Sequence, residues 1–318
     1  MLSVNKNKIV FRQLFRNQSF IFILGIVLAL TIGQGAVWTE PLLIPALAVA
    51  MTLSTLGITN ENLVSIRKSP RTVLISLLLN YAVMSTVLLL MSWRLIDDSE
   101  LWKGFVTMAS VPPAISVTPI TYALGGNTLI SLIGTTGLYL IALGLTPGIM
   151  IIFLGTDLIS PLMVLLTLTQ LIIVPLLISR LLRFKGLDKH IDKWRDTAVN
   201  WCFFVVIFTV IGLNRQAFFE QPSTLFQVIV IAITVTFGLG HVVGFIATKL
   251  NVDRETNISY MLMSSRKNSG LASAVALSFF SRRAAFPAAI VNLIGLLCTV
   301  WWSYYFKKVL PNRQLRNS

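Results

Sequence analysis

The stretch VTMASVPPAISVTPITYALGG (residues 106–126) is apolar enough for a membrane helix, yet it contains Pro112, Pro113 and Pro119. Each proline lacks the amide N–H that a helix needs and clashes with the preceding turn, so a regular helix cannot run through this stretch. The backbone groups that the break leaves free find no partner in lipid, and they must face protein or water. The stretch therefore predicts a broken membrane helix that lines an enclosed or water-filled site.

A second stretch, YMLMSSRKNSGLASAV (residues 260–275), is interrupted without a proline. Ser, Asn and Gly replace apolar residues near its centre, together with the adjacent cations Arg266 and Lys267. Two interrupted membrane segments at matching places are the best sequence indication of a transport site near the bilayer midplane. The alternatives are ordinary kinks and small-residue packing, with cations that extend to an interface.

The composition places both stretches in a membrane protein, because 55% of the 318 residues are hydrophobic and only 12% are charged. The net charge of +14 does not indicate nucleic-acid binding, since the basic residues lie in short loops between apolar segments. The sequence predicts an all-α polytopic membrane protein with ten transmembrane helices. The predicted spans are 19–37, 41–58, 71–93, 102–123, 127–154, 158–180, 197–214, 223–248, 257–280 and 284–306.

The basic residues predict the orientation. Most of them fall on the side that holds both termini, including the loop 181–196, which predicts cytoplasmic termini in a multi-pass protein of the inner or plasma membrane. A division between spans five and six leaves five spans in each half, and an odd number inverts the second half. We expect one repeat in residues 1–165 and an inverted repeat in residues 166–318, with the interrupted span fourth in each.

Three segments carry a resemblance to a known family: LLIPALAVAMTLSTLGIT (42–59), PPAISVTPITYALGGNTLISLIGTT (112–136) and RKNSGLASAVALSFFSRRAAFPAAIVNLIG (266–295). Over most of its length the chain resembles the bile acid:sodium symporter family, which has a proline break before TY…GN in span four and a Gln/Lys-Asn-Ser/Thr-Gly/Ala-Leu break in span nine. The resemblance implies a panel domain and a core domain, each drawn from both repeats. It also implies broken helices four and nine that cross at the binding site, and organic-anion substrates.

The resemblance also indicates where the family binds sodium. The family's sodium-site glutamate corresponds to Met263 and its glutamine to Lys267, so this chain resembles a divergent member that lacks the usual glutamate. An oxygen ligand in span four is lost at Val117. The positions that keep an oxygen, and are weak sodium candidates, are Thr118, Ser131, Thr135 and Asn80.

No carboxylate falls inside a predicted span, since all 12 Asp and Glu residues lie in loops or at membrane edges. A hard cation prefers several oxygen ligands, and anionic ones help most where water is scarce. Sodium beside two cations would also meet like charge at low dielectric. We therefore expect Lys267 to occupy the place of a sodium ion, and Arg266 to face the cavity and hold an anionic substrate.

Other polar residues near the breaks complete the candidate site. Asn268, Ser269 and Ser264 are expected to line it or to satisfy broken backbone, and His241 is either a proton shuttle or a packing histidine. Asn292 and Asn214 are weaker candidates. The candidate residues are Asn80, Ser116, Thr118, Thr121, Ser131, Thr135, His241, Ser264, Arg266, Lys267, Asn268 and Ser269.

These features predict a secondary transporter or facilitator of a small organic anion that works by alternating access, without sodium coupling through the usual family sites. The alternatives are a sodium:organic-anion symporter with a carboxylate-free site, and a ligand-binding membrane sensor. The sequence has no G-x-x-x-x-G-K-[ST] loop and no nucleophile–base or metal set, so we expect no enzyme. The expected partners are the organic anion and the lipid bilayer, with sodium doubtful and no cofactor, metal or nucleic acid.

Overall fold

The computed structural model describes residues 15–57 and 68–306. Within these two ranges the chain is helical and contains no strand, as predicted for an all-α membrane protein. The terminal basic segments and Arg67, which contributed to the predicted orientation, lie outside the described residues.

The α-helices are numbered in chain order. They are α1 (Gln18–Ile32), α2 (Ala36–Thr39), α3 (Leu43–Thr55), α4 (Pro70–Leu77), α5 (Thr86–Leu95), α6 (Ser99–Ser110), α7 (Val117–Ala123), α8 (Thr128–Leu154), α9 (Pro161–Leu168), α10 (Val174–Phe184), α11 (Asp188–Ile191), α12 (Arg195–Leu213), α13 (Arg215–Glu220), α14 (Pro222–Ile233), α15 (Leu239–Lys249), α16 (Arg254–Met263), α17 (Ser269–Phe279) and α18 (Phe286–Tyr304).

Three π-helical segments join pairs of these helices without a break. They are Leu78–Ser85 between α4 and α5, Thr169–Ile173 between α9 and α10, and Thr234–Gly238 between α14 and α15. A π-helical turn accommodates extra residues in a helix and is often found at functional sites.

Seven helical stretches in the described part of the chain are long and apolar enough to cross a membrane. One of them, Gln18–Thr55, covers the first two predicted spans, with 3-10 turns at Gly33–Gly35 and Glu40–Leu42. Predicted spans four and nine are each divided into two shorter helices, and none of these helices alone is long enough to cross a membrane. A polytopic helical membrane protein is thus confirmed, whereas the count of ten spans and their inversion stay predictions.

Both predicted interruptions are present. The first separates α6 from α7, and it contains Pro112 and Pro113, while Pro119 lies in the first turn of α7, where a proline is tolerated. The second separates α16 from α17, and Asn268 ends it because its side-chain oxygen accepts the amide of Leu271 as an N-cap.

The helices form two packing groups. In the first group, α1 and α3 pack against α12, and α10 packs against α3. The second group contains α4 to α8 and α14 to α18, with α6, α17 and α18 in mutual contact. Contacts between the groups include those of α3 and α12 with α17, and of α12 with α18. The two interruptions lie within the second packing group.

Candidate functional site

The two interruptions touch each other through the backbone and one side chain. The amide of Asn268 donates to the carbonyl oxygen of Pro112 at 2.9 Å. The ammonium of Lys267 donates to the carbonyl oxygens of Ala109 and Val111, at 2.9 and 2.8 Å. Each break therefore supplies partners for backbone groups that the other has freed, which is the requirement for irregular backbone at membrane depth.

Lys267 is almost completely enclosed, with 3% of its surface exposed. Besides the two carbonyl oxygens, its ammonium lies 4.0 Å from the centre of the Tyr81 ring. None of the ion pairs among the described residues involves Lys267. The positive charge is therefore held by carbonyl dipoles and an aromatic face and is not neutralised by a carboxylate.

Asn80 lies in the first π-helical segment and reaches the second interruption. Its amide nitrogen donates to the carbonyl oxygens of Met263 and Arg266, at 2.9 and 3.1 Å, and the residue is fully buried. Because both partners only accept, the nitrogen of the amide must face them. The amide oxygen Oδ1 has no donor among the described residues.

Asn268 joins the second interruption to α8. Its Oδ1 caps α17 and its Nδ2 donates to the hydroxyl oxygen of Tyr139 at 2.6 Å. Tyr81 and Tyr139 were not among the predicted site residues, since an aromatic residue in an apolar span resembles any other core residue. Their proximity to Lys267 and Asn268 is a property of the packing.

Arg266 points away from its neighbour, towards α18. Its guanidinium donates to the hydroxyl of Thr299 and lies 5.7 Å from the centre of the Trp302 ring. A Cβ atom at Gly295 would come within 2.4 Å of Nη1, so the absence of a side chain there makes room for the guanidinium. Arg266 is not among the residues that line the pocket described below.

The predicted hydroxyl groups lie beside this junction, near the start of α8. Thr121 and Ser131 share a hydrogen bond of 2.7 Å. Thr118 and Thr135 have buried hydroxyl oxygens without a partner in the described structure. With Asn80 Oδ1, three oxygens at predicted site positions are therefore buried and unpaired, which requires an explanation such as a water molecule or a cation.

Several candidates satisfy their hydrogen bonds locally. Ser264 donates to the carbonyl oxygen of Met261, and Asn214 to that of Val210. His241 Nδ1 is 2.8 Å from the carbonyl oxygen of Phe237, so Nδ1 carries the proton, and Nε2 accepts from Trp301 Nε1 at 3.2 Å. This is the arrangement of a neutral packing histidine. Ser116 precedes α7 without a side-chain cap.

A small, partly open pocket lies between the two packing groups, and its cavity volume is about 20 Å³. One wall comes from α1 and α12, and the other from α17 and α18. Its polar lining residues are Ser269, Ser273 and Asn292, and the rest are apolar or glycine. Of the twelve candidate residues, Ser269 alone lines this pocket, and Asn292, which was named as a weaker candidate, lines it as well.

A group of acidic and basic residues lies where α6 begins and α17 ends. Arg283 donates to Asp98 at 2.7 Å and Lys103 donates to Glu100 at 2.5 Å. The hydrogen bond from Lys103, followed by one from Ser281, lowers the pKa of Glu100. Partial burial acts to raise the pKa of Asp98, but the Leu101 amide and Arg283 outweigh it, so this pKa is also lowered.

Comparisons with known proteins agree with this architecture. The sequence profile described as "Sodium Bile acid symporter family" matches residues 44–221. The chain is also similar to a Bacillus subtilis (strain 168) protein named "Uncharacterized sodium-dependent transporter YocS". The two are 25% identical over 250 residues, which cover 76% of each chain. Since the profile covers more than half of the sequence, the chain belongs to the Sodium Bile acid symporter family and is a multi-pass membrane transporter.

Proposed function

We propose that this transporter carries a small organic anion across the membrane by alternating access, with Lys267 as a fixed positive charge at the junction of the two breaks. The observation that carries the proposal is the burial of Lys267, whose ammonium bonds two carbonyl oxygens of the other break without a carboxylate partner. An ionisable residue inside a membrane segment is costly and usually serves transport or binding.

The electrostatics of the junction favour an anion. Lys267 and Arg266 both lie in the second interruption, and the positive end of the α17 dipole adds to them. None of the acidic residues in the described structure pairs with either cation. An anionic substrate in the adjacent pocket would reduce this uncompensated positive charge, whereas a cationic substrate would increase it.

The same contacts argue against sodium at the usual family positions. Lys267 takes the carbonyl oxygens of Ala109 and Val111, and the Asn80 amide takes those of Met263 and Arg266. These oxygens are the kind of ligand that a hard cation needs. The family description and the name of the relative both mention sodium, so the comparisons give this part of the proposal no support.

We further propose ten spans in two inverted repeats, residues 1–165 and 166–318. Three pairs of features support this arrangement. The interruptions fall in predicted spans four and nine, and π-helical segments fall in spans three and eight. In addition, α6 packs against α17, and α16 packs in the reciprocal way against α7.

The pocket between the two packing groups is too small for a substrate as it stands, and we propose that it widens to hold the substrate's body when the two groups move apart. Its largely apolar lining suits a carbon skeleton, and Ser269, Ser273 and Asn292 offer hydrogen bonds. Ser269 directly follows the interruption, so the pocket adjoins the positively charged junction. Movement of one packing group against the other would expose this pocket alternately on the two sides of the membrane. The termini are proposed to be cytoplasmic.

A sodium:organic-anion symporter is the second candidate. Asn80 Oδ1 and the hydroxyl oxygens of Thr118 and Thr135 are buried without hydrogen-bond donors in the described structure. Unpaired oxygens of this kind could coordinate a cation without a carboxylate. The name of the Bacillus subtilis relative, which includes "sodium-dependent", favours this candidate as well.

The test is uptake of a panel of radiolabelled organic anions into proteoliposomes with an imposed sodium, potassium or pH gradient. We expect wild-type uptake to be indifferent to sodium and to be lost in Lys267→Gln. The matched control is Lys249→Gln, which removes a cation at the end of α15 and should retain uptake.

Sodium-driven uptake that disappears in Thr118→Val and Thr135→Val would instead establish the second candidate. These two variants remove the unpaired hydroxyl groups and nearly preserve side-chain shape. Saturable binding of an anion without any flux would favour a membrane sensor. Sodium-driven uptake that survives in Lys267→Gln would contradict the role proposed for this lysine.

A further inference from the structure

The turn between α17 and α18 contains Ser281, Arg282 and Arg283, and each contacts an acidic residue. Arg283 Nε donates to Asp98 at 2.7 Å, and the Ser281 hydroxyl donates to Glu100. Both acids lie at the start of α6, in the second packing group. These two contacts therefore attach the turn to its own packing group.

Arg282 makes a contact of a different kind. Its Nη2 and Nε donate to the two carboxylate oxygens of Glu40, at 2.6 and 3.2 Å. Glu40 lies in the 3-10 turn between α2 and α3, within the chain segment that supplies the first packing group. The other ion pairs of the described residues each join residues within one group. Among the ion pairs of the described residues, Glu40–Arg282 is thus the one that connects the two packing groups.

The position of the pair relates it to the pocket. Ala288 and Ala289, in the first turn of α18, line the wall that the second group contributes. Arg282 lies six residues before Ala288 and seven before Ala289 in the chain. On the other side, the opposite wall includes Ile211, close to the end of α12. Thr39, which directly precedes Glu40, is hydrogen-bonded to Thr209 of α12 at 2.6 Å, so both members of the ion pair adjoin segments that line the pocket.

We propose that Glu40 and Arg282 form an ionic latch that closes this end of the pocket and breaks when the two packing groups separate. The inference rests on the alternating access proposed above, and it names the contact that distinguishes the closed state. The bidentate geometry fixes the register of the two groups. The side chains are 31% and 51% exposed, so water and salt can compete with the contact.

A latch of this kind must be weak enough to open in every transport cycle. Exposed ion pairs contribute only about 0.2–1 kcal/mol, which corresponds to a factor of about 1.5 to 5 in an equilibrium constant. Salt also screens such pairs, because the Debye length falls to about 3 Å at 1 M ionic strength. The latch should therefore bias the closed state by a few-fold and should weaken in high salt.

The experiment measures access to the pocket from the face that carries Arg282. Ala289→Cys is placed in a background with Cys202→Ser and Cys298→Ala, and a membrane-impermeant maleimide is added to that face in proteoliposomes. We expect Arg282→Gln to raise the labelling rate about two- to fivefold, and Glu40→Gln to do the same from the other side of the pair. The double reversal Glu40→Arg with Arg282→Glu should restore the slow rate.

Arg283→Gln is the matched control, because it removes the same charge one residue away but breaks a contact within one packing group. Equal acceleration in Arg282→Gln and Arg283→Gln would overturn the latch, as would no acceleration in Arg282→Gln and Glu40→Gln. Salt should accelerate labelling in the protein with the intact pair and have little effect in Arg282→Gln. Labelling does not require transport. If the variants change the labelling rate as expected but the protein takes up no anion, the latch stands and only the proposed function is disproved.

Discussion

The ammonium nitrogen of Lys267 lies 4.0 Å from the centre of the Tyr81 ring, and it donates in addition to two backbone carbonyl oxygens. The negative face of an aromatic ring attracts a cation, most strongly where water is excluded. Tyr81 therefore completes the surroundings of this buried lysine, which include no carboxylate among the described ion pairs.

Replacement of Tyr81 tests this relationship. Tyr81→Leu should destabilise the protein by about 2 kcal/mol, since the ring face is lost from a desolvated cation. Tyr81→Phe retains a ring and should cost much less. Thermal unfolding in detergent gives the comparison, and a similar loss of stability in both variants would show that the ring face does not matter.

Gly295→Ala should displace Arg266. The added Cβ would lie 2.4 Å from Nη1, so the guanidinium must leave Thr299 and the Trp302 ring. We expect a loss of about 1–3 kcal/mol, as for other overpacked interiors. Adding Arg266→Ala to Gly295→Ala should relieve the clash, and additive losses in a double-mutant cycle would contradict this explanation.

Gly104→Ala should be more harmful than Gly295→Ala. A Cβ at Gly104 would lie 2.1 Å from the carbonyl oxygen of Ala284, a backbone atom that cannot move aside as a side chain can. The substitution should push α6 from the turn that carries Arg283 and lower the melting temperature. Gly144→Ala in α8 is the control, because no atom lies within 4 Å of its Cβ and alanine favours a helix. Equal changes of melting temperature in Gly104→Ala and Gly144→Ala would contradict the close approach of Gly104 to Ala284.

Asn268→Ala should reduce both stability and transport. It removes the N-cap of α17, worth about 1 kcal/mol, and the hydrogen bond to Tyr139. Asn17→Ala removes the N-cap of α1, where Asn17 accepts the amide of Phe20, and should reduce stability alone. Uptake normalised to folded protein separates the two effects, and equal uptake in both variants would place Asn268 outside the transport site.

Acid should weaken the contacts at the start of α6. The pKa values of Asp98 and Glu100 are lowered in the folded protein, so their stabilising contribution is complete above the ordinary carboxyl pKa of about 4. It is lost as the pH falls through the lowered values. Melting temperatures from pH 7 to 3 should therefore fall at the acidic end, and less steeply in Asp98→Asn. If the melting temperature of Asp98→Asn falls with acid as steeply as that of the wild type, the Asp98 contacts do not cause the loss of stability.

The broken helices could be predicted because their cause is local. Proline removes a helix hydrogen bond wherever it stands, and a run of Ser, Arg, Lys and Asn is conspicuous in an apolar segment. The π-helical segments could not be predicted, because residues such as those of Leu78–Ser85 also fit an ordinary helix. The junction between the first two predicted spans continues as helical turns, because Gly33–Gly35 and Glu40–Leu42 form 3-10 turns and not an open loop.

The two cations at the junction of the breaks are visible in the sequence, but the directions of their side chains are not. Lys267 is conspicuous in sequence, but its acceptors are backbone atoms of Ala109 and Val111, which no side chain marks. Arg266 turns the other way, since successive residues in a non-helical segment need not share a face. Gly295 provides its space from a distant part of the chain.

The backbone acceptors of Lys267 also have an evolutionary consequence. A carbonyl oxygen is present whatever residue occupies position 109 or 111, so a single codon change at position 267 can create or remove this contact. No compensating substitution is needed on the opposite segment, as it would be for a lysine–carboxylate pair. Relatives of this transporter could therefore gain or lose a built-in cation in one step, while the rest of the junction stays the same.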